Sequence, residues 1–422
     1  MRVKRVQWAV GQGGFASGSI ESEGQYFEYV YDCGSNNSGP LKDSISSLRP
    51  KGKKIDALFI SHLDSDHVNG IEHLLVQYEI ESVFLPYLDN RTQWMVAARS
   101  MSESDFTANV GELLTNPGGW FESRGVSNIF LIPPASPEED YPEGMELGWP
   151  LKENDESSGF EEHRDDRRLQ LYASENVPSN GQLDKEKANV TILSERASLG
   201  LRTREATWAF VPFVPPVSDA VLNEFYRSAR SEGLEIDKGT DELAKILSDV
   251  GQRKKLKKAY RKISSNHNFV SMCLYSGPLY EQECWGRAYV NNHVLRWRKG
   301  PRWLIEEEVF LEREGKVGWL GTGDALLKNH DVLTAFQRRY DFVSQKVSTL
   351  MCPHHGSWHN YSDNLIELFD PFVVFAPAST TNGYGHPHPR VRDSIYRYRI
   401  PFLHVSEEPE SQLREKIEVR HK

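Results

Sequence analysis

Residues 55–75 constrain this chain more than any other stretch. They read Ile-Asp-Ala-Leu-Phe-Ile-Ser-His-Leu-Asp-Ser-Asp-His-Val-Asn-Gly-Ile-Glu-His-Leu-Leu. Ala57 to Ile60 is a short apolar run, the pattern of a buried strand. Gly70-Ile71 followed by Leu74 and Leu75 opens an amphipathic helix. Between them, His62, Asp64, Asp66 and His67 put four potential metal ligands into six positions. A strand-to-helix turn in an α/β protein leaves its side chains at the carboxyl end of the sheet, beside the positive end of a helix dipole. Two His and two Asp crowded there repel like with like and shift one another's protonation unless a cation sits among them. The turn is read as a metal site; the plain alternative is a solvated acidic turn.

A length of 422 residues suits one large domain with insertions or two domains. The chain is 38% hydrophobic and has no apolar stretch of the roughly 18 residues that a membrane span needs. Met1-Arg-Val-Lys-Arg is basic, and no apolar run follows it as in a secretory signal. The four cysteines, Cys33, Cys273, Cys284 and Cys352, form no C-x-x-C pair, so the expectation is a cytoplasmic protein with free thiols. A net charge of -10 is unlike a protein that binds nucleic acid over its whole surface. A nucleic-acid substrate would have to be drawn in by local basic patches and by metals.

Taken in order, Val3–Val10 alternates as a strand, and the Gly-rich stretch 11–18 reads as a tight hairpin with backbone exposed near a pocket. It is not a phosphate loop, because it lacks the Lys-Ser/Thr ending. Gln25–Tyr31 is a strand ending in Asp32-Cys33-Gly34. Asp32 suits either a carboxylate that orients a neighbouring His or a simple Asx turn. A helix over 70–79 and a strand over 82–86 follow the 62–67 turn. The pattern then loosens, with a helix-like stretch near 95–114 broken at Pro117-Gly118-Gly119, and acidic, polar residues over 135–190 that read as long loops. The run 253–262 is the one densely basic segment. Lys254, Lys255, Lys257 and Lys258 are either a solvated helix face or contacts to phosphates. Strands are expected again at 268–275, 303–310, 317–321, 347–352, 372–376 and 401–405, with helices near 325–336, 363–369 and 391–398. The charged segment 407–422 is expected at the periphery.

The second half adds further ligands: Asp324 in Gly-Thr-Gly-Asp, His354-His355 after Pro353, and His386 before Pro387. Each follows an apolar run and precedes a helix or a Gly/Pro turn. Strand ends on one edge of a sheet can converge on one point. Together these side chains suffice for two metals with a bridging carboxylate.

These residues carry a resemblance. His62-x-Asp64-x-Asp66-His67 resembles the HxHxDH signature of the metallo-β-lactamase fold superfamily, and Asp324 looks like that superfamily's later, metal-bridging Asp. The ordered set Asn266-x-Asn268-x-Val270-Ser271, Gly321-Thr-Gly-Asp324, Pro353-His-His-Gly-Ser357 and Asn382-x-Tyr-Gly-His386-Pro387 resembles the ComEC-type hydrolase domain of DNA-uptake competence channels, which has stand-alone soluble relatives.

The resemblance implies an α/β fold, a metallo-β-lactamase αββα sandwich with a large mixed insertion. Residues 1–86 and 265–422 would form the hydrolase domain, and 87–264 an insertion or lid. It implies two divalent ions, Zn²⁺ or Mn²⁺. His62 and Asp64, with His354, would hold one; Asp66 and His67, with His386, would hold the other; Asp324 would bridge. Asp66, Asp324 and His355 would be catalytic. Asp32 would support the ligands, His355 and Ser357 would line the pocket, and Asn382 and His388 would touch substrate. The two metals would generate a hydroxide from a shared water, with a His of the 354–355 pair or His386 protonating the leaving group.

Two departures stand out. The middle His of the signature is Asp64, whose harder oxygen favours Mn²⁺ or Mg²⁺ and adds negative charge. The superfamily's remaining His has no obvious counterpart; His267 lies in the right region, and His354 could serve instead. The leading expectation is a phosphodiesterase or nuclease acting on DNA or another nucleic acid. The alternatives are a hydrolase of a small ester, lactone, amide or cyclic nucleotide, and a metal-stabilised interaction subunit of a phage-defence assembly that meets a protein partner through its insertion.

Overall fold

The computed structural model describes residues 1–103, 108–136, 149–150, 168–174, 190–236, 239–263, 270–280, 282–290, 293–294 and 316–420. Asn266, His267 and Asn268, the strand expected over 303–310 and much of the acidic 135–190 stretch lie outside the described residues.

Two mixed sheets form the body. The first runs in the order His293–Val294, Glu283–Val290, Leu413–Arg420, Arg2–Gln7, Gly13–Ser22, Gln25–Ser35, Lys54–Phe59, Glu79–Pro86, Asn128–Ile132 and Val190–Ile192. Its later strands, from Gln25–Ser35 through Val190–Ile192, are parallel. The second sheet runs Phe402–Val405, Val373–Pro377, Val347–Met351, Gly318–Gly321, Cys273–Pro278, Thr207–Phe213, Leu199–Arg202, Leu171–Ala173 and Trp149–Pro150. Its first four strands are parallel.

Alternation along Thr207–Phe213 explains how the layers stack. Trp208 and Phe210 belong to the core shared with the first sheet, where Phe210 meets Phe27, Tyr29 and Phe59. Ala209, Val211 and Phe213 belong to a second core with Phe336 and Tyr340 of the helix His330–Tyr340. A strand covered on both faces must be apolar throughout, and this one is buried at every position. On the first sheet, the helices Ser38–Ser47 and Ile71–Gln77 play the covering part. Two mixed sheets with helices outside them are the α/β sandwich of a metallo-β-lactamase fold. Strands within 87–264 extend both sheets, and its helices, Asn90–Glu103 and Val250–Arg261 among them, pack on one another.

The charged carboxyl-terminal segment is not peripheral. Leu413–Arg420 lies between Arg2–Gln7 and Glu283–Val290, antiparallel to both. Its burial alternates strictly, so its charged residues mostly face out while Leu413, Ile417 and Val419 enter the core. Glu415 is the exception. It is buried and takes a two-pronged ion pair from Arg5, with Nε–Oε2 at 3.0 Å and Nη2–Oε1 at 3.1 Å. Arg5 also donates to the carbonyls of Ser276 (3.0 Å) and Val317 (2.7 Å), which ties the first sheet to the second. Removing one partner of such a pair strands the other charge in the interior, so Glu415→Ala should lower stability by about 3–5 kcal/mol. Chemical denaturation of the variant beside the parent measures this; an unchanged midpoint would contradict the role given to the pair.

Candidate metal centre

The parallel strands of both sheets end on the same side of the molecule, and the candidate side chains sit at those ends. The chain leaves Lys54–Phe59, passes His62 and Asp64, and makes a one-turn helix, Ser65–Val68, before the longer helix Ile71–Gln77. Asp324 follows Gly318–Gly321, and His354 and His355 follow Val347–Met351.

Asp32 orients two histidines at once. The pairing of Gly13–Ser22 with Gln25–Ser35 slips between Phe15 and Ala16, whose partners are Cys33 and Tyr31. Asp32 is the extra residue of that bulge, with φ of 56°, a strained backbone for a non-glycine residue. Its carboxylate accepts from the Ser61 amide (2.6 Å), the Ser61 hydroxyl (2.7 Å) and His67 Nδ1 (2.8 Å). Because the Ser61 hydroxyl donates to Asp32, it accepts from His62 Nδ1 at 2.9 Å. Both rings therefore present Nε2 to the centre. Gly14 has to lack a side chain, since a Cβ there would stand 2.6 Å from His67 Nδ1 and 2.8 Å from Asp32 Oδ2.

The histidines from the second sheet are held the same way. His355 Nδ1 donates to the Pro377 carbonyl at 2.8 Å. His354 Nδ1 donates to Asn360 Oδ1 at 3.1 Å, and Asn360 donates to the Asp324 carbonyl at 3.0 Å. The Ser271 hydroxyl receives the Asp324 amide at 2.8 Å. Gly323, with φ of 47°, lets the backbone pass where a Cβ would come within 2.3 Å of that hydroxyl.

Four Nε2 atoms thus surround the Asp324 carboxylate, at 3.5 Å from His62, 3.6 Å from His67, 3.5 Å from His354 and 3.8 Å from His355. His355 Nε2 is also 3.4 Å from Asp66 Oδ2. These gaps are long for hydrogen bonds. They match the roughly 3.4 Å separation of two ligands that share one ion with metal–ligand bonds of about 2.0–2.2 Å. The buried atoms His62 Nε2, His67 Nε2 and Asp324 Oδ1 have no hydrogen-bond partner among the described residues. Two groups among the described residues are close enough to hold an ion: His62, His67 and Asp324, and Asp66, His67 and His355.

The electrostatics favour a cation. Burial alone would raise the Asp324 carboxyl, but the surrounding histidines, His354 and His62 foremost, hold it well below the usual range. Asp66 is lowered likewise: burial opposes ionisation there, and His67 and His355 outweigh it. Burial works against charge on His67, yet Asp32, Asp66 and Asp324 push its pKa up to about 10. Positive charge is therefore favoured where His67 Nε2 points.

Asp64 is engaged differently. Its Oδ2 accepts from Arg99 Nε (3.0 Å) and is ion-paired with Nη2 (2.9 Å), and its Oδ1 accepts from the Ser100 hydroxyl (3.0 Å). His62 Nε2 is 3.4 Å from Asp64 Oδ2. Burial would raise the Asp64 carboxyl; Arg99, then His62, keep it ionised. Arg99 and Ser100 lie in the helix Asn90–Glu103 and were not singled out by the motifs. The one signal in the sequence is an Arg closing the apolar run 94–98, a position that has to bury a charge.

The remaining candidates stand further out. His386 is 5.6 Å from His354, ring to ring, and burial followed by His354 and His355 pushes its pKa down to about 3. Asn382 binds the backbone of its own loop, at the carbonyls of Ser379 and His386 and the amide of His386. His388 caps the helix Pro389–Arg397 through Nδ1, and its ring stacks on Trp358. Ser357 is buried, and its hydroxyl accepts from the His359 amide. Of the basic run, Lys254 and Lys255 are exposed, Lys257 is half-buried and Lys258 pairs with Glu232 at 2.9 Å.

Residues 20–83 match the family model described as the metallo-beta-lactamase superfamily, a segment that includes Asp32 and the 62–67 turn. Among solved structures, the chain is similar to MEM-A1, a subclass B3 metallo-beta-lactamase isolated from a soil metagenome library. The identity is 14%, over 62% of this chain and 89% of that one, with a TM-score of 0.21. No curated protein matches the sequence.

If Asp32 fixes His67 as described, Asp32→Ala should weaken divalent-ion binding by about 10- to 100-fold. Calorimetric titration with Zn²⁺ checks this, and unchanged affinity in a folded variant would contradict it.

Proposed function

We propose that this chain is a divalent-metal-dependent phosphodiesterase of the ComEC type that acts on nucleic acid. The observation that carries the hydrolase reading is the convergence on one point of buried His62 Nε2, His67 Nε2 and Asp324 Oδ1, which have no hydrogen-bond partner among the described residues. His62, Asp66, His67, His355 and Asp324 would hold the ion, and Asp32, Ser61 and the Pro377 carbonyl would keep the rings in place. A divalent ion bound there supplies Lewis acidity toward a phosphoryl oxygen and acidifies water. Burial keeps His354 neutral by lowering its pKa, and its ring is partly exposed at the edge of the site, so it is the group placed to accept a proton from the attacking water.

The substrate class rests on the rim. Trp358 follows the buried Ser357, and Lys328 Nζ lies 3.9 Å and the Arg390 guanidinium 5.8 Å from its ring centroid. His388 stacks on the same ring, and Tyr384, stacked with His386, is exposed. Aromatic faces beside cations suit stacked bases and phosphates. This local patch supports a nucleic-acid substrate alongside the net charge of -10. Lys254, Lys255, Lys257 and Lys258 are proposed as outer phosphate contacts.

Purified protein with Mn²⁺ or Zn²⁺ should cleave labelled single- or double-stranded DNA, and chelation should abolish cleavage. Asp324→Asn should reduce the rate by about 100-fold or more, at least the upper end of what losing a partner of a metal ligand costs. Trp358→Ala should weaken single-strand binding by about 1–3 kcal/mol. Replacing the four lysines with Ala should flatten the salt dependence of binding. Turnover of a small ester or lactam with no cleavage of DNA under any metal would overturn the phosphodiesterase reading.

A further inference from the structure

We infer that Arg99 occupies the place of a second metal ion, so that the centre takes one divalent ion and one guanidinium. The inference rests on the metal-centre reading above and departs from the two-ion arrangement that the signature motif implies.

Three observations carry it. First, both groups able to hold an ion among the described residues include His67. Its Nδ1 is committed to Asp32 at 2.8 Å, so each group needs the same Nε2. One nitrogen lone pair serves one ion, and the two groups are overlapping descriptions of a single place. Second, Asp64 is in neither group. One of its oxygens already accepts a hydrogen bond from Arg99 Nε and is ion-paired with Nη2 at 2.9 Å, and the other accepts from Ser100. Third, Arg99 Nη2 is also 3.8 Å from Asp324 Oδ2, the oxygen that His62 and His354 face at 3.5 Å. An ion coordinated by His62, Asp64 and Asp324 would have to share that space with a cation that cannot lose its charge.

The carboxylate at 64 and the buried arginine then explain each other. A carboxylate at 64, where imidazole would be neutral, requires a fixed positive partner once buried. Arg99, from the helix Asn90–Glu103, supplies it. The guanidinium provides positive charge next to the ion without taking up a water or a ligand.

The test is a metal count with the intact protein. After equilibration with Mn²⁺ and removal of free ion, elemental analysis should give one Mn²⁺ per chain, with the uncoupled spectrum of an isolated ion by electron paramagnetic resonance. Arg99→Ala should admit a second ion, seen as two per chain and an exchange-coupled spectrum, whereas Arg99→Lys, which keeps a cation, should stay at one. Asp64→Asn should also stay at one. Two ions per chain in the parent protein would overturn the inference while leaving the metal-centre reading intact. A count that remains at one in folded Arg99→Ala, or falls to zero in folded Asp64→Asn, would overturn it as well. Zero ions in the parent would contradict the metal-centre reading itself, and this inference with it. If Arg99→Ala fails to fold, the parent count and Arg99→Lys still decide.

Discussion

The ring of His67 links the scaffold to the chemistry, because its two nitrogens face opposite demands. Nδ1 is fixed by Asp32, which in turn exists in that position only because a strand bulge turns its backbone to a positive φ. Nε2 is buried, has no hydrogen-bond partner among the described residues and points at the carboxylate that three other histidines also face. A neutral imidazole buried against Asp32, Asp66 and Asp324 leaves an excess of negative charge, and a cation is the simplest way to balance it. The same Asp32 reaches His62 through the Ser61 hydroxyl, so one strained residue sets two rings. The strain is located where its removal would disorganise the centre.

Charge balance also explains why the site draws on distant parts of the chain. Asp64, Asp66 and Asp324 are close neighbours at a sheet edge, and burial penalises each of them. Histidines from both sheets offset Asp66 and Asp324. Asp64 has an arginine from a helix that the 87–103 segment brings over the edge. A segment that extends the sheets also completes the electrostatics, so it is joined to the site by an ion pair and not only by the chain.

Much of this was legible in the sequence. Apolar runs followed by His, Asp, Gly and Pro located the strand ends at 57–67, 318–324 and 347–355, because a buried parallel strand has to be apolar and its end has to turn. The role of Arg99 was not legible. It acts on Asp64 across 35 positions, and helical periodicity says which face is apolar, not which acid a buried Arg will meet. The segment 407–422 misled for a related reason. Its charges are the outward half of an alternating strand, and high charge hid the period of two. The helix after Asp324 also begins later than periodicity suggested. Asn329 caps it by accepting from the amides of Asp331 and Val332, which leaves residues 322–328 free to turn around the site.

The central claim is that a divalent ion binds at His67 Nε2. Anomalous diffraction from crystals soaked in Zn²⁺, recorded at the zinc absorption edge, tests it most directly. The account predicts a peak about 2.0–2.1 Å from His67 Nε2, within bonding distance of Asp324 or Asp66. A peak elsewhere in the molecule with none at that nitrogen, or no ordered zinc at all, would contradict it.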